Sequence, residues 1–346
     1  MRIAMLHSDL PPDSGGAGGV RHQVARLGEA LVSRGHDVIA YVVVPEHEPV
    51  DFEVRMAQLG GMCARGRLAR LALTPVAFAM GNYSECDIVH AHGDSQLLFR
   101  RGPRVVRTFY GSARDEARHA QRLKQRAIER YQHVGERVAR RLADRTVGIS
   151  RATEQAVGPL DEIIPCGVDR RRFRPGPKSE HPTVVFIGTM RGRKRGDLAC
   201  EIFRTQVRPR VPDAEMIVIA PDVREEPEIT VVRSASDDTV AEYLRRAWVF
   251  TLPSTYEGFG VPYIEAMASG TAVVATPNAG AHELFVDGEG GVLMRDAQLG
   301  DAICELLLDQ RRRETLAAGG HRASERFDWL QVAARYEHLY TELLVA

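Results

Sequence analysis

Lysine is nearly absent from this 346-residue chain. Lys124, Lys178 and Lys194 are the only three, so almost all of the 46 positive charges are arginine. Forty-six acidic residues balance them to a formal net charge of zero. A neutral chain carries no global field to draw in a polyanion, so nucleic acid is not an expected partner. Cysteine is sparse as well. Cys63, Cys86, Cys166, Cys200 and Cys304 are odd in number and no two lie at Cys-x-x-Cys spacing. That fits a reduced, cytoplasmic setting better than a disulfide framework or a zinc site. No stretch of about 18 apolar residues occurs, so no membrane span is expected. Ile3–Leu6 is apolar but stops at His7 and Asp9, so no secretory leader is expected. Repeats and low-complexity tracts are also missing. What remains is an ordinary globular composition, 44% hydrophobic and 27% charged, at a length that suits two domains.

Apolar runs and amphipathic stretches alternate along the chain, the pattern of parallel sheets with helical crossovers. Strands are expected at Ile3–His7, Val38–Val44, Asp87–Ala91, Val105–Phe109 and Arg145–Ile149. Val20–Ser33 reads as an amphipathic helix and Asp115–Ala143 as a long charged one. A second set begins at Thr183–Ile187 and continues through Glu215–Ala220, Ala247–Pro253 and Ala272–Ala275. Helices are expected at Asp197–Thr205, Asp237–Arg246, Ala302–Leu308 and Leu330–Leu344. The Pro- and Gly-bearing segment 165–178 divides the two sets. The expected domains are 1–165, 166–327 and a closing helix at 328–346.

The most informative run is Ser254–Gly270, where Glu257 and Glu265 stand eight residues apart around Gly258-Phe259-Gly260. A buried strand precedes it and a helix with an early proline, Pro262, follows. Glu257 therefore falls in a loop at the carboxyl end of a strand, where open α/β sheets bind ligands. Glu265 falls one to two turns into the helix, whose positive N-terminal end suits a phosphate. A second charged loop, Gly188–Asp197, holds Arg191, Arg193, Lys194 and Arg195 where another helix opens. Cations there could stabilise charge developing on a departing diphosphate. The glycine-rich loop 15–19 fails the Gly-x-Gly-x-x-Gly test because residue 21 is Arg, and no acidic residue ends the second strand. A nicotinamide dehydrogenase is therefore disfavoured.

Taken together these motifs resemble family 4 retaining glycosyltransferases. The resemblance rests on the Glu-x7-Glu run with its Gly-Phe-Gly, the Gly18-Gly19 pair, the strand ending in His90 and His92, and Asn278–Glu283 with Gly290-Gly291. It implies the GT-B fold, an α/β architecture of two Rossmann-like lobes with parallel sheets facing across a cleft. It implies that the N-terminal lobe binds the acceptor and the C-terminal lobe a nucleotide-diphospho-sugar of UDP or GDP type. Glu265 would accept ribose hydroxyls, Glu257 would hold sugar hydroxyls, and the backbone of Gly258, Phe259, Gly260 and Val261 would help. Gly18 and Gly19, with Arg191 and Arg193, would contact the donor. Lys194, Arg195 and His92 would act with Glu257 at the reacting centre. Front-face attack is implied, with the departing phosphate oxygen taking the acceptor's proton, and no essential metal or cofactor. Thr189, Tyr110 and Cys166 depart from the family's usual Arg, His and Asn. The compact N-terminal half and the arginine bias, which suggests a GC-rich genome, favour a small soluble acceptor. An aminocyclitol in an actinobacterial antibiotic pathway is one such core. A lipid-linked or polysaccharide acceptor is the alternative, with the arginine-rich stretch 114–145 touching a membrane surface. A nucleotide-sugar epimerase and an inactive sugar-nucleotide-binding module are the readings from other classes.

Overall fold

A computed structural model of the protein describes residues 1–11, 19–63, 65–99, 102–113, 123–225, 228–285 and 289–345. The chain forms two compact units, one built from the residues up to Gly167 plus Trp329 onward, the other from Val168–Asp328.

The first unit holds a seven-stranded sheet. Its strands are β1 (Arg2–Leu6), β2 (Asp37–Val42), β3 (Glu53–Met56), β4 (Ile88–Ala91), β5 (Arg104–Phe109), β6 (Arg145–Gly148) and β7 (Glu162–Ile163). Their spatial order is β3-β2-β1-β4-β5-β6-β7, and every pairing is parallel. Parallel strands covered on both faces need continuous apolar sequence. β4 is buried at all four positions and apolar at three of them, the fourth being His90, whose ring nitrogens are both hydrogen-bonded. On one face α1 (Gly19–Ser33) packs Val24, Leu27 and Leu31 with Ile3, Met5 and Val106. The C-terminal helix, here α12 (Trp329–Val345), adds Val332, Leu339 and Leu343 to the same cluster. Tyr336 and Tyr340 of that helix reach Thr108 at 3.1 Å and His90 at 2.7 Å. The other face is covered by α3 (Arg67–Ala79), whose Ala77 and Phe78 pack on Ala4, Leu6 and Ile39. Helix α3 retains Pro75 in its interior. A short α2 (Gly60–Cys63) precedes it. Between the sheet's later strands run α4 (Leu123–Leu142) and α5 (Arg151–Val157).

The second unit has six parallel strands. They are β8 (Thr183–Ile187), β9 (Glu215–Ile219), β10 (Ile229–Val232), β11 (Val249–Leu252), β12 (Ala272–Ala275) and β13 (Gly291–Leu293). Their order is β10-β9-β8-β11-β12-β13. Helices α6 (Gly196–Ile202), α7 (Asp237–Arg246), α8 (Val261–Ala268) and α9 (Ala279–Leu284) follow β8, β10, β11 and β12. Two more, α10 (Leu299–Leu308) and α11 (Gln310–Ala323), complete the unit. β11 and β12 are buried at all four positions each. In each sheet the strand order reverses once, between β1 and β4 and between β8 and β11. Crevices at such switch points, beyond the carboxyl ends of the strands, are where open α/β sheets bind ligands.

Candidate functional site

At the switch point of the second unit two loops are stitched together. The loop after β11 sends the Thr255 N–H to the Arg193 carbonyl, 2.9 Å away, in the loop after β8. Arg193 returns a bond from Nη1 to the Tyr256 carbonyl at 2.9 Å and lies 2.7 Å from Glu257 Oε1. The Ser254 hydroxyl donates to the same carboxylate oxygen at 2.7 Å. Glu257 is only 5% exposed, so this pair of donors offsets the cost of burying its charge. Its backbone is fixed too, because the Gly280 N–H donates to the Glu257 carbonyl at 3.0 Å. A Cβ on Gly280 would fall 2.4 Å from the Phe259 oxygen, so this approach requires glycine. Asn278 caps α9, accepting from the Ala281 N–H, and its amide group donates to the Ser254 and Thr276 carbonyls. Phe259 is buried and meets Phe327 edge-on at 5.6 Å. Gly260 takes the left-handed conformation, φ 99°, that turns the chain into α8, where Val261 is the first residue. Gly258 lies in the same turn.

The cations of the loop after β8 divide by partner. Arg195 is left-handed at φ 52°, and its Nε donates to the Pro253 carbonyl at 2.6 Å. Its two terminal nitrogens grip Asp296 at 2.7 and 2.9 Å. Arg193 is held by Glu257 and Tyr256, as above. Arg191 is exposed, next to Gly192 at φ 84°. The Lys194 ammonium has no hydrogen-bond or ion-pair partner among the described residues. Its stem lies across Gly188, where an added Cβ would come within 2.6 Å of Lys194 Cδ. Burial lowers the Lys194 pKa, while the charges of Glu257 and Glu265 oppose that shift. Glu265, on the second turn of α8, is pushed up to about 8 by burial, with the like charge of Asp237 adding to it and Lys194 opposing. Thr189, where the resemblance leads one to expect Arg, turns its hydroxyl to the Arg191 carbonyl at 3.0 Å.

The first unit carries the remaining predicted residues. His92 follows β4 and is 3% exposed. Its Nδ1 is 2.9 Å from the Tyr110 hydroxyl, and its buried Nε2 has no partner among the described residues. His90 is fully satisfied, between Thr108 at 2.8 Å and Tyr340 at 2.7 Å, and burial pushes its pKa down to about 3. Gly18 lies outside the described residues. Gly19 opens α1, and a Cβ there would meet nothing within 4 Å. Among the described residues no group of three or more His, Cys, Asp and Glu side chains is placed to hold a metal ion. No described helix is long and apolar enough to cross a membrane.

Two family models match the chain, one for each sheet. Residues 17–172 match Glycosyltransferase Family 4, and residues 181–309 match Glycosyl transferases group 1. The chain is a family 4 glycosyltransferase. The transferase is 27% identical to the phosphatidyl-myo-inositol mannosyltransferase of Mycobacterium tuberculosis, over 98% of this chain and 96% of that one. Among solved structures it is similar to sucrose-phosphate synthase from Thermosynechococcus elongatus, with a TM-score of 0.80 at 21% identity over 99% of both chains. HepE of Anabaena in complex with UDP and glucose gives a TM-score of 0.73 at 18% identity, over 98% of this chain and 99% of that one. The fold of the transferase is GT-B, with its two parallel-sheet Rossmann-like domains.

Ser254, Asp296 and Tyr110 are among the residues whose side chains meet the predicted site residues and that sequence reasoning did not assign to the site. Ser254 stands three residues before Glu257, a spacing that could have signalled a hydroxyl on the carboxylate. Asp296 is 101 residues from Arg195 and carried no such signal.

Proposed function

We propose that the transferase moves a sugar from a nucleotide-diphospho-sugar to a hydroxyl acceptor with retention of configuration. The observation that carries this reading is that Lys194, a cation with no hydrogen-bond or ion-pair partner among the described residues, stands within electrostatic reach of two carboxylates, Glu257 and Glu265, at one strand switch point. In this reading the diphosphate lies against Lys194 and the N-terminal end of α8, whose first-turn N–H groups have no intrahelical acceptors. Glu265 accepts the ribose hydroxyls. Glu257, already oriented by Ser254 and Arg193, uses its second oxygen for hydroxyls of the transferred sugar. Arg193 acts through Glu257 and its own backbone rather than by meeting phosphate. Arg195, engaged by Asp296 and Pro253, braces the two loops and leaves the charge contact to Lys194. The departing phosphate oxygen takes the acceptor's proton from the same face, which requires no enzymic nucleophile and no metal.

The acceptor binds at the first unit's switch point, beside His92. A lipid-linked polyol is the acceptor class we favour, because α4 leaves Tyr131, Val134 and Val138 exposed among Arg130, Arg137 and Arg141. An apolar row flanked by arginine suits an anionic lipid surface. The mycobacterial relative named above acts on phosphatidyl-myo-inositol by its name, which supports the same class.

Thermal unfolding in the presence of UDP, GDP, dTDP and NAD tests the donor half of this proposal. A ligand at 100 times its Kd adds about 2.7 kcal/mol. Stabilisation by one nucleoside diphosphate and not by NAD is the expected result; no response to any diphosphate refutes it. For the acceptor, transfer to a polyol in anionic vesicles is compared with transfer to the free polyol. Equal rates would refute the lipid reading and favour a small soluble acceptor.

A further inference from the structure

The Tyr110–His92 contact defines which proton His92 carries. Tyr110 follows β5 at the position where the family resemblance leads one to expect histidine, and its hydroxyl is 2.9 Å from His92 Nδ1. The two rings are 5.8 Å apart, and His92 also lies against His90, tilted by 40° with ring centres 3.8 Å apart, so its ring is held from two sides. Among the described residues the Tyr110 hydroxyl has no other hydrogen-bond partner. If His92 carried its proton on Nδ1, that N–H would donate to the phenol oxygen. Among the described residues the Tyr110 O–H would then lack an acceptor and Nε2 would lack a donor. If Tyr110 donates to a bare Nδ1, a single group is left over, the Nε2–H. The second arrangement leaves fewer buried polar groups unmatched.

We infer that Tyr110 is a positioning residue that holds His92 in the Nε2–H tautomer, so that His92 presents a hydrogen-bond donor, and not a base, to an oxygen of the substrate. The histidine is also poorly disposed to gain a proton. Burial, then the neighbouring His90, His7 and Arg107, keep its pKa well below the usual 6.5. A donor shielded from water needs no reorganisation when an oxygen lone pair arrives. Space exists at the next residue, since a Cβ on Gly93 would meet nothing nearer than 4.0 Å. This assignment rests on the proposal that His92 faces substrate and sharpens it. The acceptor hydroxyl's proton leaves toward the phosphate, and His92 holds a neighbouring oxygen in place.

The tautomer is read directly from two-bond proton–nitrogen correlation spectra of the ligand-free protein, independently of any transfer activity. The expected wild-type spectrum shows a protonated Nε2 and a bare Nδ1. Tyr110→Phe, which removes one oxygen and keeps the ring, should yield a mixture of both neutral tautomers. A wild-type Nδ1–H or an imidazolium overturns the assignment, as does a Tyr110→Phe spectrum identical to wild type. In the second arm, kcat/KM for transfer should fall about three- to tenfold in Tyr110→Phe, the worth of one hydrogen bond. The Kd for nucleoside diphosphate should change less than about twofold, since this contact lies outside the second unit. Unchanged kcat/KM with a shifted tautomer would leave Tyr110 setting the proton but overturn the contact to substrate. Should no transfer activity exist at all, the spectra still decide the tautomer while the functional proposal fails.

Discussion

Arg193 Nη1 lies 2.7 Å from Glu257 Oε1, and this one contact joins the loops that follow β8 and β11. The two ends of the pair are unequal. The Glu257 side chain is 6% exposed, that of Arg193 32%. Removing the arginine strands a buried carboxylate, whereas Glu257→Gln leaves a neutral amide that the Ser254 hydroxyl can still meet. Arg193→Met is therefore expected to cost more stability than Glu257→Gln, by about 1–3 kcal/mol. The double variant should cost less than the sum of the two. Chemical denaturation of the four proteins measures the coupling, and additive losses would show that the contact carries no energy. For transfer, Glu257→Gln should lower kcat/KM about 10- to 150-fold, the equivalent of one charged hydrogen bond to sugar.

Lys194 and Arg195 are neighbours with opposite expected phenotypes. Lys194 is a half-buried cation with no hydrogen-bond or ion-pair partner among the described residues, so Lys194→Met should raise the Tm of the ligand-free protein while weakening nucleoside diphosphate about tenfold or more. Arg195→Met breaks the bidentate grip on Asp296 and the bond to Pro253, so it should lower Tm and affect affinity less. Calorimetric titration beside thermal unfolding separates them. If Arg195→Met proves the more damaging to affinity, the assignment of the phosphate contact to Lys194 is wrong.

Much of this arrangement is written in local sequence. Ala272–Ala275 is an unbroken apolar run and Val249–Leu252 is broken only by Thr251, whose hydroxyl donates to the Val274 carbonyl, and near-continuous apolar runs are what buried parallel strands require. The turn carrying Glu257 was legible from Gly258, Gly260 and Pro262, whose backbone preferences fix the strand-to-helix joint. Helix α11 was not, because Gln310–Ala323 opens with three arginines and carries Gly319-Gly320, which buries its small face against Gly290 instead of an apolar stripe. The short strands β3 and β7 have too few residues to display a period. Side-chain partnership was the least legible level. The sequence put four cations in one loop, but only the fold shows that Asp296, far along the chain, engages Arg195, while Lys194 has no hydrogen-bond or ion-pair partner among the described residues.

Gly280 gives a steric test of the same loop. A methyl group there would fall 2.4 Å from the Phe259 oxygen and 2.9 Å from that of Glu257, both backbone atoms that cannot swing aside. Gly280→Ala should cost about 1–3 kcal/mol and push the Glu257 turn outward. Both Tm and nucleoside diphosphate affinity should fall together. A variant as stable as wild type would mean that the loop yields freely, and that Glu257 is less rigidly placed than its hydrogen bonds indicate.

Glu265 supplies a pH signature. Its carboxyl group titrates near 8 in the folded protein, against an ordinary value of 4.5. Between these values the folded state keeps a proton that the unfolded chain has released. Stability from this group is therefore fully present below the unfolded value, declines as pH rises toward 8, and is level above it. Glu265→Gln removes that slope, so the variant's Tm should gain on wild type as pH is raised from about 5 to about 8, then run parallel. Ribose hydroxyls donate best to an ionised carboxylate. Wild-type affinity for nucleoside diphosphate should accordingly strengthen with rising pH below 8, at most about tenfold per unit, and Glu265→Gln should lose that dependence. Tm profiles that stay parallel throughout would show that Glu265 titrates at its ordinary value, and a pH-independent affinity in wild type would remove it from the ribose contact.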